Sequence, residues 1–150
     1  MPYDDLRKGR FSEAGRAYFV TTVLNARDKC YFYDFTCGRL VSRNFKRLHD
    51  EQAVNSIAWV VMPDHVHWLF QLQATASLSA VVKTFKARTA QDVNAYLDMH
   101  GALWQKCFYD HALREEEDLK DIARYIVANP LRAGLVEKIG DYSHWDAMWL

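Results

Sequence analysis

Two β-branched and aromatic runs, VNSIAWVVM over Val54–Met62 and HVHWLFQL over His65–Leu72, are separated only by Pro63 and Asp64. Runs of this composition read as strands. So short a connection leaves an antiparallel hairpin as the natural arrangement, with a proline and an aspartate supplying turn chemistry. A chain built around such a hairpin has to cover the sheet with further elements. Those elements are legible on either side. Residues 18–25 (YFVTTVLN) form a first strand after a basic, glycine-containing lead-in. Residues 38–51 place Leu40, Val41, Phe45 and Leu48 at helical spacing, with basic residues on the other side. Residues 78–99 make a long helix, with Ser77 as N-cap and Leu78, Val81, Val82, Phe85 and Ala90 on its apolar face.

Beyond that helix, residues 104–112 read as a short extended segment. Glu115, Glu116, Glu117 and Asp118 then crowd the start of another helix, where carboxylates suit the positive end of the dipole. This helix is expected to run to about Asn129, because Pro130 disfavours helical geometry in the residue before it. Gly134 reads as a cap, and residues 141–150 as a tryptophan-rich packing segment. The order β-α-β-β-α-β predicts an α+β, ferredoxin-like sandwich with an antiparallel sheet and one added C-terminal helix. At 150 residues without repeat or linker, residues 1–150 are expected to form one domain.

Composition narrows the function classes. Lys plus Arg and Asp plus Glu both number 19, which by itself argues against a strongly basic nucleic-acid binder. The neutrality hides an asymmetry: residues 1–49 hold ten basic and five acidic side chains, the rest nine and fourteen. No apolar run approaches the roughly 20 residues of a membrane span. The N-terminus lacks a secretory apolar region, and Cys30, Cys37 and Cys107 lack zinc-pair spacing, so a reducing cytoplasm is the expected home.

Two pairs of residues carry chemical potential. On a strand, His65 and His67 point to the same face, a ready pair of metal ligands, while Val66 between them enters the opposite layer. Two half-buried histidines satisfied by neighbours would show the same spacing. Tyr125 and Asn129, four residues apart, share one helical face at the margin of a stripe made by Leu119, Ile122, Ala123 and Ile126. A boundary tyrosine and a helix-terminal asparagine are the plain alternative.

Taken together, the string MPDHVHWLF, then FYDHALR, then DLKDIARYIVANPLRAGLV resembles the HUH single-tyrosine transposases, in the branch associated with repetitive extragenic palindromes (REP). The resemblance extends to YFVTTVLNAR and to Phe85-Lys86, and so covers nearly the whole chain. It implies that His65, His67 and Asn129 bind a divalent metal, Mg²⁺ or Mn²⁺, which polarises a scissile phosphate of single-stranded DNA. It implies that Tyr125, on a catalytic C-terminal helix, attacks that phosphate and is joined to the 5′ side of the break. The DNA partner would be single-stranded or hairpin DNA, and the protein a monomer or homodimer.

Asp64 reads as a turn residue, with support of the histidines as the alternative. His111 matches a recurring position, more in keeping with a structural or supporting role than with a ligand. Tyr109 reads as packing, and His49, His100 and His144 as surface residues. For phosphate tracking the candidates are Arg7, Lys8, Arg10 and Arg16 before the first strand, Arg43, Lys46 and Arg47 with Arg39 on the first helix, and Lys83 and Lys86 with Arg88 on the long one. Nearby aromatic rings would stack on bases. Two rivals are a ferredoxin-like module that binds hairpins without chemistry and a small-molecule metallohydrolase.

Overall fold

The computed structural model describes residues 15–73, 76–114 and 119–147. Strand β1 (Ala17–Val23) leads through two short 3₁₀ turns to helix α1 (Phe35–Asp50). The hairpin follows as β2 (Val54–Met62) and β3 (His65–Leu72), then helix α2 (Leu78–Leu97) and strand β4 (Tyr109–Ala112). Helix α3 (Leu119–Val127), the one-turn helix α4 (Asn129–Arg132) and strand β5 (Trp145–Ala147) complete the order. The sheet runs β4-β1-β3-β2-β5, and every neighbouring pair is antiparallel. Its first four strands have the ferredoxin-like order; β5 is an addition on the free edge of β2.

Period-2 alternation divides each strand between two cores. On one face, Tyr18 and Val20 of β1, Val54 and Val61 of β2, and Val66, Trp68, Phe70 and Leu72 of β3 pack under α1 and α2. On the other, Val60, Met62 and Leu69 meet Ala123, Ile126 and Val127 of α3. The two covering layers therefore sort the elements, with α1 and α2 on one side and α3 on the other.

The helix boundaries have local causes. Helix α1 starts three residues before the predicted Gly38 because Asp34 caps it, accepting from the N–H of Thr36 at 2.8 Å and of Cys37 at 3.1 Å. Gly38 lies inside the helix, where a Cβ would come within 2.4 Å of the imidazole of His144. His144, expected at the surface, is buried there between Phe35 and Tyr142. Ser77 caps α2 as predicted, its hydroxyl accepting from Ala80 at 3.2 Å.

The helix expected to reach Asn129 stops at Val127. The chain turns through Ala128 into α4, with Pro130 in its first turn. Proline fits there because a first-turn N–H has no intrahelical partner to lose. Gly134, at φ 73°, then supplies the left-handed residue that follows the turn. In the tail, β5 is a strand where only a packing segment was expected; three residues are too few to show an alternation. The acidic run 115–118 lies outside the described residues. The three cysteines are free thiols, and among the described residues no helix is long and apolar enough to cross a membrane.

Candidate active site

Strand alternation places His65 and His67 on the α3 side of β3, with ring centroids 4.8 Å apart. Val66 between them is buried in the opposite core, as the spacing predicts. Each imidazole is held through the same nitrogen. His67 Nδ1 meets the Thr21 hydroxyl at 2.8 Å across the β1–β3 register, and the Phe19 ring lies 5.4 Å away. His65 Nδ1 meets Asp64 Oδ1 at 2.7 Å, and the other Asp64 oxygen accepts from Arg27 Nε at 2.9 Å. The turn aspartate thus has the supporting contact that its position alone left open.

Electrostatics agree with this arrangement. Burial pushes the Asp64 carboxyl up, but the hydrogen bonds and charges of His65 and Arg27 outweigh it and hold Asp64 below its ordinary range. Burial lowers His67 to about 3, helped by the positive charges of His65 and Arg132. His67 is therefore neutral at physiological pH, the form that binds a metal. With both Nδ1 atoms engaged, the Nε2 atoms are left as the donors.

The donor set fits a divalent ion. Two imidazoles of one strand face are held in fixed orientations by partners on their far nitrogens, the support usual for metal-bound histidines. Among the described residues no group of three His, Cys, Asp or Glu side chains is placed to hold a metal. A third protein ligand would have to come from another donor type. Asn129, half-buried at the first residue of α4, offers an amide oxygen.

Tyr125 lies on the outward side of α3 and is 55% exposed, while Ala123, Ile126 and Val127 anchor the helix to the sheet. The guanidinium of Arg132 sits 3.8 Å from the centroid of the Tyr125 ring and donates to the Tyr125 carbonyl oxygen at 2.6 Å. Because the same charge is felt at His67, Arg132 electrostatically links the tyrosine helix to the histidine strand. Thr21, Arg27 and Arg132 were not singled out from the sequence. A threonine in a strand and an arginine in a loop carry no spacing signal; only strand register and the return of the chain bring them here.

The basic residues separate into groups. Arg7, Lys8 and Arg10 lie outside the described residues. Arg16 is half-buried and its Nε donates to the Leu113 carbonyl at 3.3 Å. Lys86, expected on phosphate, is half-buried and donates to the carbonyls of Gln105, Lys106 and Cys107 at 2.8, 3.2 and 3.2 Å. Three donors on three carbonyls give that ammonium a structural job. Arg43, Lys46, Arg47 and Lys83 are exposed, although Lys46 pairs with Asp50 at 2.7 Å and Arg47 lies 3.9 Å from Glu51. Arg39, Arg43 and Lys46 line a groove of about 600 Å³ whose wall includes Trp59, along the edge between α1 and β2–β5. The histidines face the other side of the sheet. His49 and His100 are exposed, as expected. Tyr109 departs from its reading as packing. It is 67% exposed, and its register partner Thr21 is also the partner of His67, so the three share one row across the sheet. His111 is exposed on the same strand, opposite Phe19.

A ferredoxin-like antiparallel sheet thus carries a strand His-x-His pair, with a tyrosine-bearing helix on the same side. The profile described as "Transposase IS200 like" matches residues 15–129, and the chain belongs to that family. A REP-associated tyrosine transposase of Escherichia coli is 24% identical over 134 residues, 88% of this chain and 76% of that protein. A Haemophilus influenzae protein that bears the same name provisionally is 29% identical over 140 residues, 87% of this chain and 78% of its own length. Among solved structures, a REP-associated tyrosine transposase bound to a REP hairpin superposes with a TM-score of 0.73 at 22% identity. It covers 91% of this chain and 79% of the other. That likeness establishes the shared fold.

Proposed function

We propose that this chain cuts and rejoins single-stranded DNA beside a hairpin or palindrome, using Tyr125 as nucleophile and a divalent metal, Mg²⁺ or Mn²⁺, held by His65, His67 and Asn129. The observation that carries the reading is the pair His65 and His67 on one strand face, ring centroids 4.8 Å apart with each Nδ1 engaged, on the sheet side covered by the helix that bears Tyr125. Arg132, its guanidinium 3.8 Å from the Tyr125 ring centroid, is a planar cation suited to a phosphate beside that tyrosine.

In this mechanism the Tyr125 hydroxyl loses its proton and attacks phosphorus. The P–O3′ bond breaks, the departing 3′-oxygen takes a proton, and the 5′-phosphate is left esterified to Tyr125. Attack by a 3′-hydroxyl on that ester reverses the step, so rejoining needs no external energy source. When bound, the metal supplies Lewis-acid polarisation of the scissile phosphate. His67, neutral and held by Thr21, can coordinate it without first losing a proton, and His65 is held in orientation by Asp64. Two imidazoles favour Mn²⁺ over Mg²⁺ by ligand type, while an amide and phosphate oxygens suit either. Exposed Tyr109, in the row of His67, offers a ring on which an unpaired base can stack. Arg43, Lys46, Arg47 and Lys83 offer phosphate contacts on the helical face. The names of the relatives, and the REP hairpin bound to the structural neighbour, support DNA of this kind as substrate.

The test is a single-stranded hairpin oligonucleotide incubated with protein and Mn²⁺, followed by denaturing electrophoresis. Wild type is expected to form a covalent protein–DNA adduct. Tyr125→Phe is expected to bind the oligonucleotide and form none. Cleavage by Tyr125→Phe at the wild-type rate would remove Tyr125 from the chemistry. Hairpin binding by wild type without any adduct would favour a module that binds without catalysis.

A further inference from the structure

We propose that Asp64, braced by Arg27, and Thr21 are positioning residues that fix His65 and His67 as Nδ1–H tautomers, presenting both Nε2 lone pairs to one divalent cation. The inference deepens the metal reading of the site and rests on it, but its central observable belongs to the metal-free protein.

A neutral histidine carries one proton on either nitrogen, and only the unprotonated nitrogen binds a metal; the partner on the opposite nitrogen decides which one that is. Ionised Asp64 can only accept, so the 2.7 Å contact requires the proton to be on His65 Nδ1. Arg27 Nε donates to the second carboxylate oxygen at 2.9 Å and fixes the orientation of the carboxylate. The clamp is also anchored through the backbone. Leu24 N–H donates to the Asp64 carbonyl at 2.9 Å, and Phe32 N–H donates to the Pro63 carbonyl at 3.1 Å. The loop that delivers Arg27 is therefore stitched to the turn that delivers Asp64. Both Asp64 and His65 are only 20% exposed at their side chains, so water competes poorly for the contact.

For His67 the partner is a hydroxyl, which can donate or accept. Held at 2.8 Å by strand register, the Thr21 oxygen can accept from Nδ1–H, and this orientation alone frees His67 Nε2. Two different devices, a carboxylate with its own counter-ion and a cross-strand threonine, thus produce the same outcome on adjacent ligands. Asp64 is the chain neighbour of His65, but its counter-ion Arg27 lies 37 residues away and Thr21 lies 46 residues from His67, so both are delivered by the tertiary fold.

The deciding measurement is long-range ¹⁵N–¹H NMR of the full chain without metal, which reads the tautomer of each imidazole, paired with calorimetric titration by Mn²⁺. Wild type is expected to show Nδ1–H at both histidines. Asp64→Ala is expected to shift His65 toward Nε2–H and weaken Mn²⁺ binding by about 10–100-fold. Asp64→Asn, whose amide oxygen can still accept, is expected to restore the tautomer and most of the affinity. Arg27→Ala should fall between them, and Thr21→Val should release the His67 tautomer alone. An Nε2–H His65 in wild type overturns the proposal, and so does Asp64→Ala with unchanged tautomer or unchanged Mn²⁺ affinity. The wild-type spectrum keeps the test decisive even if a variant fails to fold. If wild type binds no Mn²⁺, the metal reading falls, while the tautomers still decide whether the clamp exists.

Discussion

The two faces of the sheet are built from the same strands and do different things. Toward α1 and α2, β3 contributes Val66, Trp68, Phe70 and Leu72, each at most 1% exposed. There Phe45 stacks on Phe85 at 4.7 Å and on Trp59 at 5.1 Å, and Trp68 and Trp104 close around them. Toward α3, the same strand contributes His65 and His67, half-buried and hydrogen-bonded, beside exposed Tyr125 and Tyr109. Both faces bury a core, but on the α3 side the core around Val60, Leu69 and Ile126 leaves a row of polar groups open beside it. Polar chemistry is affordable in that row because the buried cores supply the stability.

This contrast is most directly broken by deleting one aromatic ring from each face. Phe85→Ala is expected to cost about 3–5 kcal/mol of unfolding free energy, read from urea denaturation, because the stacked cluster cannot collapse into the space left. Tyr109→Ala should leave stability within about 0.5 kcal/mol while weakening single-stranded DNA binding by about 1–3 kcal/mol, the loss of one stacked base. A stability loss at Tyr109 equal to that at Phe85 would erase the distinction between the faces.

A smaller effect sharpens the comparison at the connection between α2 and β4. Lys86→Met removes the donor that holds three carbonyls and is expected to cost about 1–3 kcal/mol in the same assay. Lys83→Met, on the exposed side of α2, should leave stability unchanged and reduce only the salt-dependent part of DNA affinity. Equal behaviour of the two lysines would return Lys86 to the phosphate-binding group.

The smallest effect concerns pH. His144 is 5% exposed and its Nδ1 has no hydrogen-bond partner. Burial and the charge of Arg39 lower its pKa in the fold. The groups around it are Gly38, Phe35 and Arg39 of α1 and Tyr142 of the tail, whose hydroxyl burial raises to about 12, aided by Tyr33. As pH falls below the unfolded-state pKa of 6.5, the unfolded chain takes up a proton that folded His144 refuses. The stability is therefore present above 6.5 and lost on acidification. His67 acts with the same sign. Between pH 7 and pH 5.5, His144→Gln should lose less stability than wild type by urea titration. An equal loss in both proteins would show that His144 is not held neutral.

Much of the fold was legible because its signals are local. The hairpin Val54–Met62 and His65–Leu72 appears with its predicted boundaries, Ser77 caps α2, and the ferredoxin-like order follows from alternating strand and helix patterns. The errors have physical causes too. Helix α1 began early because the Asp34 cap outweighs the glycine that looked like a boundary. Strand β5 was missed because three residues carry no period. His144 went inside because Gly38, distant in sequence, leaves room for its ring.

For the site, residue spacing by itself put His65 and His67 on one strand face and Tyr125 on the margin of a helix; these are consequences of 2.0- and 3.6-residue periods. The tertiary structure decided which partners complete them. Thr21 reaches His67 only through strand register, Arg27 reaches Asp64 only because two loops are stitched together, and Arg132 covers Tyr125 only because the chain turns at Ala128. It also withdrew Lys86 from the surface and put Tyr109 on it. Periodicity fixes the side of an element on which a residue stands; what faces that side is set by packing between segments that sequence spacing does not encode.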